Sequence, residues 1–271
     1  MAIQYDFTGR RVLITGAGRG IGETLAQCFA RAGARVGILD EDNVAGEAAA
    51  QAIRRTGAVA VSAAANVENY EECKAATERI SEEIGPIDIL INNAAISPKH
   101  AGRSHSVLDM APVEWERVLG VNLTGAFNTI KHIAPGMVQR GWGRIINMSS
   151  VGSLFYAGLA GAHYSASKAA INSLTRTLAG EFGNCGITVN AIAPGRVATP
   201  MATGAGSGTN ASLLRAIPLG RFAEAVEIAN LVLFVASDEA AYMTGETIPM
   251  TGGMSLGAQT RNQGLFLAEA G

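Results

Sequence analysis

Residues 15–22, TGAGRGIG, place four glycines between a short apolar run and a segment with the spacing of an amphipathic helix. The apolar run (10–16) predicts a β-strand, and Ile21, Leu25 and Cys28, at steps of four and three, predict the helix. Glycines at such a turn leave the backbone amides and the positive end of the helix open to a pyrophosphate. A glycine cluster alone also fits an ordinary tight turn, but its place after a strand favours a dinucleotide site.

The alternation of short apolar runs with helical segments along the rest of the chain predicts the fold. We predict an α/β fold, a doubly wound (Rossmann-type) sheet of seven parallel strands flanked by helices. The predicted strands are 10–16, 34–40, 58–65, 87–94, 143–150, 187–194 and 246–252. Residues 1–271 are predicted to form a single dinucleotide-binding and catalytic domain, with a substrate loop or lid at 196–217 and a C-terminal tail at 257–271.

The charge balance and the lack of long apolar runs narrow the possible partners. The 271 residues carry a formal net charge of -2, so we expect no nucleic acid partner. Neither a leader peptide nor a run of about eighteen apolar residues is present, so we expect a cytoplasmic protein that does not enter a membrane. The three cysteines are widely spaced and have no histidine nearby, and we expect no metal.

Two tyrosine–lysine pairs share the spacing of one helical turn, and their surroundings separate them. Tyr70 and Lys74 lie among glutamates, which disfavour a phenolate, so we interpret them as surface residues. Tyr164 and Lys168, in HYSASK (163–168), have no acid within ten residues on either side. A free phenol titrates near pH ~10, and an ammonium one turn away lowers that pKa. We therefore predict Tyr164 as the acid and base of hydride transfer to or from a carbonyl.

The end of the second strand bears on the choice of cofactor. Asp40 stands where a carboxylate can accept hydrogen bonds from the adenosine ribose. That carboxylate would repel the 2′-phosphate of NADP, whereas Arg19 in the glycine turn would attract it. We predict NAD, because an unpaired acid beside a phosphate dianion costs more than an absent contact, and NADP stays possible.

Six features in this order resemble the short-chain dehydrogenase/reductase family. They are the TGxxxGIG turn, NNAA (92–95), Asn122, the two serines that end the fifth strand, the YxxxK pair and PGRVAT (194–199). The resemblance covers residues 8–257. It implies a homotetramer or homodimer.

The resemblance also implies residue roles. Tyr164 would be the acid and base, Lys168 would bind the nicotinamide ribose and lower the tyrosine pKa, and a serine would hold the carbonyl oxygen. Asn122 would hold a water in a proton relay toward Lys168. The implied cofactor-binding residues are Gly16, Arg19, Gly20, Ile21, Gly22, Asp40, Asn66, Val67, Asn93, Ala94, Tyr164, Lys168, Pro194, Gly195, Val197 and Thr199.

Two positions depart from the family pattern. The usual serine stands thirteen positions before the tyrosine, where this chain has Val151. We infer one inserted residue and predict Ser150 as the catalytic serine, with Ser149 and Ser153 as competitors. Asn66 replaces the usual aspartate near the adenine, and its amide can both donate and accept hydrogen bonds.

The predicted function is hydride transfer between NAD(H) and a small secondary alcohol or ketone, such as a polyol or a sugar-like compound. The alternative enzyme is an NADPH-dependent 3-oxoacyl carrier-protein reductase. Such reductases often have an arginine where this chain has Gly180. The alternative outside catalysis is a dinucleotide-binding regulatory scaffold. Few charges lie in the predicted substrate loops, so an anionic substrate is possible but not required; these charged residues are Lys99, Arg103, Asp109, Arg196 and Arg215.

Overall fold

Seven parallel strands form one sheet, as the sequence predicts; numbered along the chain, they lie in the order 3-2-1-4-5-6-7. The computed structural model describes residues 5–156, 160–199 and 214–256. The strands are β1 (Arg11–Thr15), β2 (Arg35–Asp40), β3 (Ala60–Ala64), β4 (Ile89–Asn92), β5 (Gly143–Met148), β6 (Ile187–Pro194) and β7 (Thr247–Met250). The helices are α1 (Gly20–Arg31), α2 (Asn43–Arg54), α3 (Tyr70–Ile84), α4 (Pro112–Leu119), α5 (Gly125–Arg140), α6 (Ala162–Phe182) and α7 (Ala225–Ala236).

The strand order places a crevice at the carboxyl ends of β1 and β4. The chain runs outward from β1 through β2 to β3 and then returns to the other side of β1 as β4. Loops after these two strands therefore leave the sheet in opposite directions. In open α/β sheets, ligands bind at such a switch point.

Both faces of the sheet are covered by apolar side chains, which explains why its strands read as nearly continuous apolar runs. Successive strand residues point to opposite faces. Val12 and Ile14 therefore pack with α1 and α7, whereas Leu13 packs with α3 and α5. Within the described residues, no helix has the length and apolar character needed to cross a bilayer.

Several predicted strands are longer than the observed ones. The strands predicted at 58–65, 87–94 and 246–252 are observed as the shorter strands β3, β4 and β7. At the end of β4 the physical reason is clear, because the amides of Asn93 and Ala94 leave the ladder and donate to Thr15 Oγ1, each at 3.0 Å. Residues 200–213 of the predicted substrate loop and the tail at 257–271 lie outside the described residues.

Candidate active site

A cavity of about 810 Å³ opens at the carboxyl ends of the strands, across the β1/β4 crevice. Every residue that the sequence predicts to bind the cofactor lies on its wall. Of the four predicted catalytic residues, Ser150, Tyr164 and Lys168 also line it. The fold therefore brings together residues from six loops that are far apart in sequence.

The glycine turn forms one end of the cavity and fits a dinucleotide. Gly16 has a φ of 62°, and a Cβ on Gly22 would lie 2.2 Å from the Gly16 carbonyl oxygen. Asn93 clamps the turn, since its Nδ2 donates to the carbonyls of Thr15 and Gly16 at 3.0 and 2.8 Å. No side chain caps the first amides of α1. Those amides and the positive helix end are therefore available to a pyrophosphate.

Asp40 lies beside this turn at the adenosine end of the cavity. Its side chain is buried, and its two carboxylate oxygens accept from the amides of Gly18 at 2.7 Å and Asp42 at 3.0 Å. Arg19 forms an ion pair with Asp42 at 3.7 Å. The arginine that would attract a 2′-phosphate is thus already paired with an acid, while Asp40 lies on the cavity wall.

Asn66 lies on the wall, but its side-chain amide is engaged by its own loop. Its Nδ2 donates to Glu68 Oε1 at 2.8 Å, and its Oδ1 accepts from the Glu68 amide at 3.2 Å. A direct contact of this amide with an adenine would have to displace one of these bonds. The predicted contact stays a prediction.

The opposite end of the cavity holds the tyrosine and lysine of α6. The Lys168 side chain is 2% exposed, its Nζ donates to the Met148 carbonyl at 2.6 Å, and it lies 5.7 Å from the Tyr164 ring centroid. Burial lowers the pKa of Lys168 to about 8. Burial raises the pKa of Tyr164, and a hydrogen bond with Ser150 partly offsets that rise. In this structure the phenol is therefore protonated at neutral pH, and the lysine is not the main cause of its pKa.

The pair Tyr70 and Lys74 is on the surface, as its surroundings predict. Tyr70 begins α3 and is 41% exposed, with its ring 4.4 Å from that of His132. Lys74 pairs with Glu78 at 4.0 Å. Neither residue lines the cavity, so equal spacing on a helix does not give equal surroundings.

The three candidate serines make different contacts. Ser149 Oγ donates to the Lys168 carbonyl at 3.2 Å, and Ser153 Oγ donates to the Ser150 carbonyl at 2.6 Å. Ser153 also accepts from Asn172 Nδ2 at 2.9 Å. The Ser150 hydroxyl accepts from the Gly152 amide at 3.2 Å and faces the Tyr164 phenol closely enough to lower its pKa. This geometry favours Ser150 as the catalytic serine, in line with the sequence prediction that assumes one inserted residue before Tyr164.

Comparisons with known proteins agree with this arrangement. A family model described as enoyl-(acyl carrier protein) reductase matches residues 16–255. The chain belongs to the short-chain dehydrogenase/reductase family.

Several relatives of this short-chain dehydrogenase/reductase are named for an enzymatic activity. A 3-oxoacyl-[acyl-carrier-protein] reductase, FabG, from Staphylococcus epidermidis is 38% identical over 251 residues, covering 90% of this chain and 98% of that protein. The crystal structure of a 3-oxoacyl-[acyl-carrier protein] reductase with bound NAD from Brucella melitensis is 41% identical, with a TM-score of 0.87 and 92% of both chains covered. Oxidoreductase UcpA from Salmonella typhimurium is 39% identical over 258 residues, covering 92% and 95%. The chain is therefore an oxidoreductase, and the regulatory scaffold is the weaker alternative.

Asn122 of this short-chain dehydrogenase/reductase lies behind the cavity wall and not on it. It is held in a π-helical turn, Gly120–Thr124, between α4 and α5. Its Oδ1 accepts from the Ile96 amide at 2.8 Å, and its Nδ2 donates to the Ile96 carbonyl and to Ser167 Oγ, both at 3.1 Å. Asn122 thus joins the loop after β4 to α6 beside Lys168, and the water relay stays a prediction.

Lys99, Arg117 and Arg196 are three cationic residues on the cavity wall. Lys99 and Arg196 belong to the predicted substrate loops, but Arg117, on α4, was missed. The one feature of the sequence that could have indicated Arg117 as a cavity residue is its position on the polar face of the helix that leads to Asn122. Burial lowers the pKa of Lys99, and the nearby charge of Arg196 lowers it further. Like charges held close together favour a bound anion.

Proposed function

We propose that this enzyme reduces the ketone of a 3-oxoacyl thioester with NADH. The relatives named 3-oxoacyl-[acyl-carrier-protein] reductases support this substrate better than the polyol or sugar-like compound predicted from the loops. The observation that carries the proposal is the position of Tyr164 on the cavity wall, where its phenol faces the Ser150 hydroxyl and its ring centroid lies 5.7 Å from Lys168 Nζ. Since burial raises the pKa of Tyr164, the group holds at neutral pH the proton that ketone reduction consumes.

The residues of the site have separate parts in this reaction. When bound, NADH supplies the hydride that forms the new C–H bond at the ketone carbon. Tyr164 donates its phenolic proton to the ketone oxygen, which gives a 3-hydroxyacyl product and leaves a phenolate. Ser150 donates a hydrogen bond to the same oxygen, where negative charge develops. The Lys168 ammonium stabilises the phenolate electrostatically.

The cationic side chains on the cavity wall support a thioester that carries an anionic group. A pantetheine thioester of coenzyme A or of a carrier protein has phosphate groups at the end away from the acyl chain. Lys99, Arg117 and Arg196 offer ammonium and guanidinium groups to such a phosphate. Gly180, where the reductases often have arginine, is exposed on α6, so recognition of a carrier would depend on the cavity mouth.

The proposed function is tested by comparing substrates. We expect acetoacetyl coenzyme A to be reduced with at least about tenfold higher kcat/KM than the uncharged ethyl acetoacetate, a difference of about 1.4 kcal/mol. Arg117→Ala should raise KM for the coenzyme A thioester and leave the uncharged ester unaffected. NADH absorbance follows each reaction. Faster oxidation of polyols than reduction of any 3-oxoacyl thioester would instead support the polyol substrate.

The serine assignment leads to a separate prediction. Ser150→Ala should lower kcat for ketone reduction by about 10²–10³-fold, the usual cost of one hydrogen-bond donor to a developing oxyanion. Ser149→Ala and Ser153→Ala should lower kcat less. Their hydroxyls form hydrogen bonds with backbone carbonyls, and that of Ser153 also accepts from Asn172. Steady-state rates with thermal melts separate catalysis from folding. A larger loss in Ser149→Ala or Ser153→Ala would show that the inserted residue lies elsewhere.

We also propose the homotetramer or homodimer that the resemblance implies. Large apolar side chains on α4 and α5 support it: Val113 is 70% exposed and Phe127 is 49% exposed. Exposed apolar groups on neighbouring helices favour association. Sedimentation analysis in solution would detect a monomer if this proposal is wrong.

A cytoplasmic location likewise stays a prediction, which cell fractionation would test.

A further inference from the structure

Three of the four histidines meet at one carboxylate outside the active-site cavity. Glu114 lies in the first turn of α4, and its Oε2 contacts His100 Nε2 at 2.9 Å and His105 Nδ1 at 3.0 Å. Its Oε1 contacts His163 Nε2 at 3.0 Å. None of these four residues lines the cavity. The mechanism proposed above therefore does not use the cluster.

A strained turn brings the two outer histidines together. His100 and Arg103 exchange backbone hydrogen bonds at 2.7 and 3.1 Å, with Ala101 and Gly102 at φ values of 49° and 80° between them. Among the described residues, Ala101 is the one non-glycine residue with a positive φ. The rings of His100 and His105 then lie parallel, with centroids 3.5 Å apart. Such strain persists only where the surrounding structure compensates for it, and it is typical of functional sites.

The buried histidine orients the carboxylate. His163 is fully buried, and its Nδ1 accepts from the Tyr164 amide at 2.7 Å. Nε2 must then carry the proton and donate to Glu114 Oε1, which leaves Oε2 for the outer histidines. The carboxylate is therefore held in place by an outer partner, as metal-binding carboxylates are.

We propose that His100, His105 and Glu114 bind a divalent transition metal ion, with zinc as the preferred ion. The three donor atoms lie within 4.8 Å of one another, and within the described part of the chain no other group of histidine, cysteine and acidic side chains is so placed. Two imidazole nitrogens and one carboxylate oxygen suit zinc better than magnesium or calcium. A water would complete a tetrahedron.

The distances require only local adjustment. Zinc ligands at about 2.0–2.2 Å from the ion stand about 3.3–3.5 Å apart in a tetrahedron, so both hydrogen-bonded contacts must open by a few tenths of an ångström. Because the rings are parallel, one of them must also turn for both lone pairs to reach the ion. The His100 side chain is 45% exposed, which gives it room to turn.

The metal would act as a structural clamp. His100 follows Lys99 of the cavity wall, and Ser104 packs against Gly161, where an added Cβ would lie 3.2 Å from the Ser104 Cβ. An ion held by His100, His105 and Glu114 would join this loop to α4. Through His163 it would also join the loop to the start of α6, one residue before Tyr164. The site thus stabilises the substrate side of the cavity without contacting the reacting atoms.

The test is zinc binding by the full-length enzyme after treatment with a chelator. Calorimetric titration should show one zinc ion per chain, together with a rise in Tm. Loss of an outer partner commonly costs 10–100-fold in metal affinity, so His100→Ala and His105→Ala should each weaken zinc binding by at least about that factor. His132→Ala is the matched control, since that histidine lies on α5 against Tyr70, and it should bind zinc as the native chain does.

Cobalt gives a second readout that is independent of activity. The visible spectrum of the Co²⁺-loaded enzyme should show tetrahedral coordination, and His100→Ala should lose that spectrum. The proposal is overturned if the native chain binds no zinc, or if His100→Ala and His105→Ala bind it as tightly as the native chain does. Because binding and spectra report on the metal alone, failure of this proposal is distinct from failure of the proposed reductase activity.

Discussion

Replacing Tyr164 by phenylalanine is expected to lower kcat for ketone reduction by about 10²–10⁴-fold, the usual contribution of a positioned acid. The phenol is the protonated group that faces the Ser150 hydroxyl in the cavity, and burial keeps its proton in place at neutral pH. Phenylalanine removes the donor and retains the ring. The Kd of NADH, measured by fluorescence titration, should change little, because the glycine turn is untouched.

The chain offers a matched control for this substitution. Tyr70→Phe removes a hydroxyl from a pair with the same spacing but on an exposed helix start, and it should leave kcat unchanged. Full activity of Tyr164→Phe, or a loss of activity in Tyr70→Phe as large as that in Tyr164→Phe, would refute the assignment. Equal NADH affinity in all three proteins would confine the effect to catalysis.

The sequence predicted the parts of the site that depend on local spacing. Tyr164 and Lys168 share a helix face because four residues make about one turn. The glycine turn and Asp40 each stand at the end of an apolar strand, and both line the cavity. The catalytic serine was harder to predict from sequence, because the choice of Ser150 depends on the length of the loop between it and Tyr164.

Features that depend on tertiary contacts could not be predicted. Strand β4 ends at Asn92, earlier than predicted, because the amides of Asn93 and Ala94 donate to Thr15, which is far away in sequence. The π-helical turn that sets Asn122 behind the cavity wall has no sequence signal. The meeting of His100 with Glu114 depends on a left-handed turn at Ala101, which an alanine does not indicate. Substrate class depends on loop contacts of this kind, which the sequence does not show. The sequence analysis therefore favoured a polyol, whereas the relatives support a 3-oxoacyl substrate better.

Asp40→Asn is expected to change the cofactor preference toward NADP by about 10²–10³-fold. Two unit charges 4 Å apart at an effective dielectric constant of about 20 interact by about 4 kcal/mol, and each 1.4 kcal/mol is tenfold. Asp40 is only 7% exposed, so solvent screens its repulsion of a 2′-phosphate weakly. Asparagine removes the charge but keeps an oxygen that can accept from the Gly18 amide, as Asp40 does at 2.7 Å.

The measurement is the ratio of kcat/KM for NADPH to that for NADH in the native chain and in each variant. Glu41→Gln is the matched control, because it removes a negative charge from the next residue of the same wall, where the side chain is exposed and its field is screened. That variant should change the ratio by less than about tenfold. If the native chain already prefers NADPH, or if Asp40→Asn and Glu41→Gln change the ratio equally, the buried charge of Asp40 does not select the cofactor. Arg19, whose ion pair with Asp42 spans 3.7 Å, would then be the residue that governs the choice.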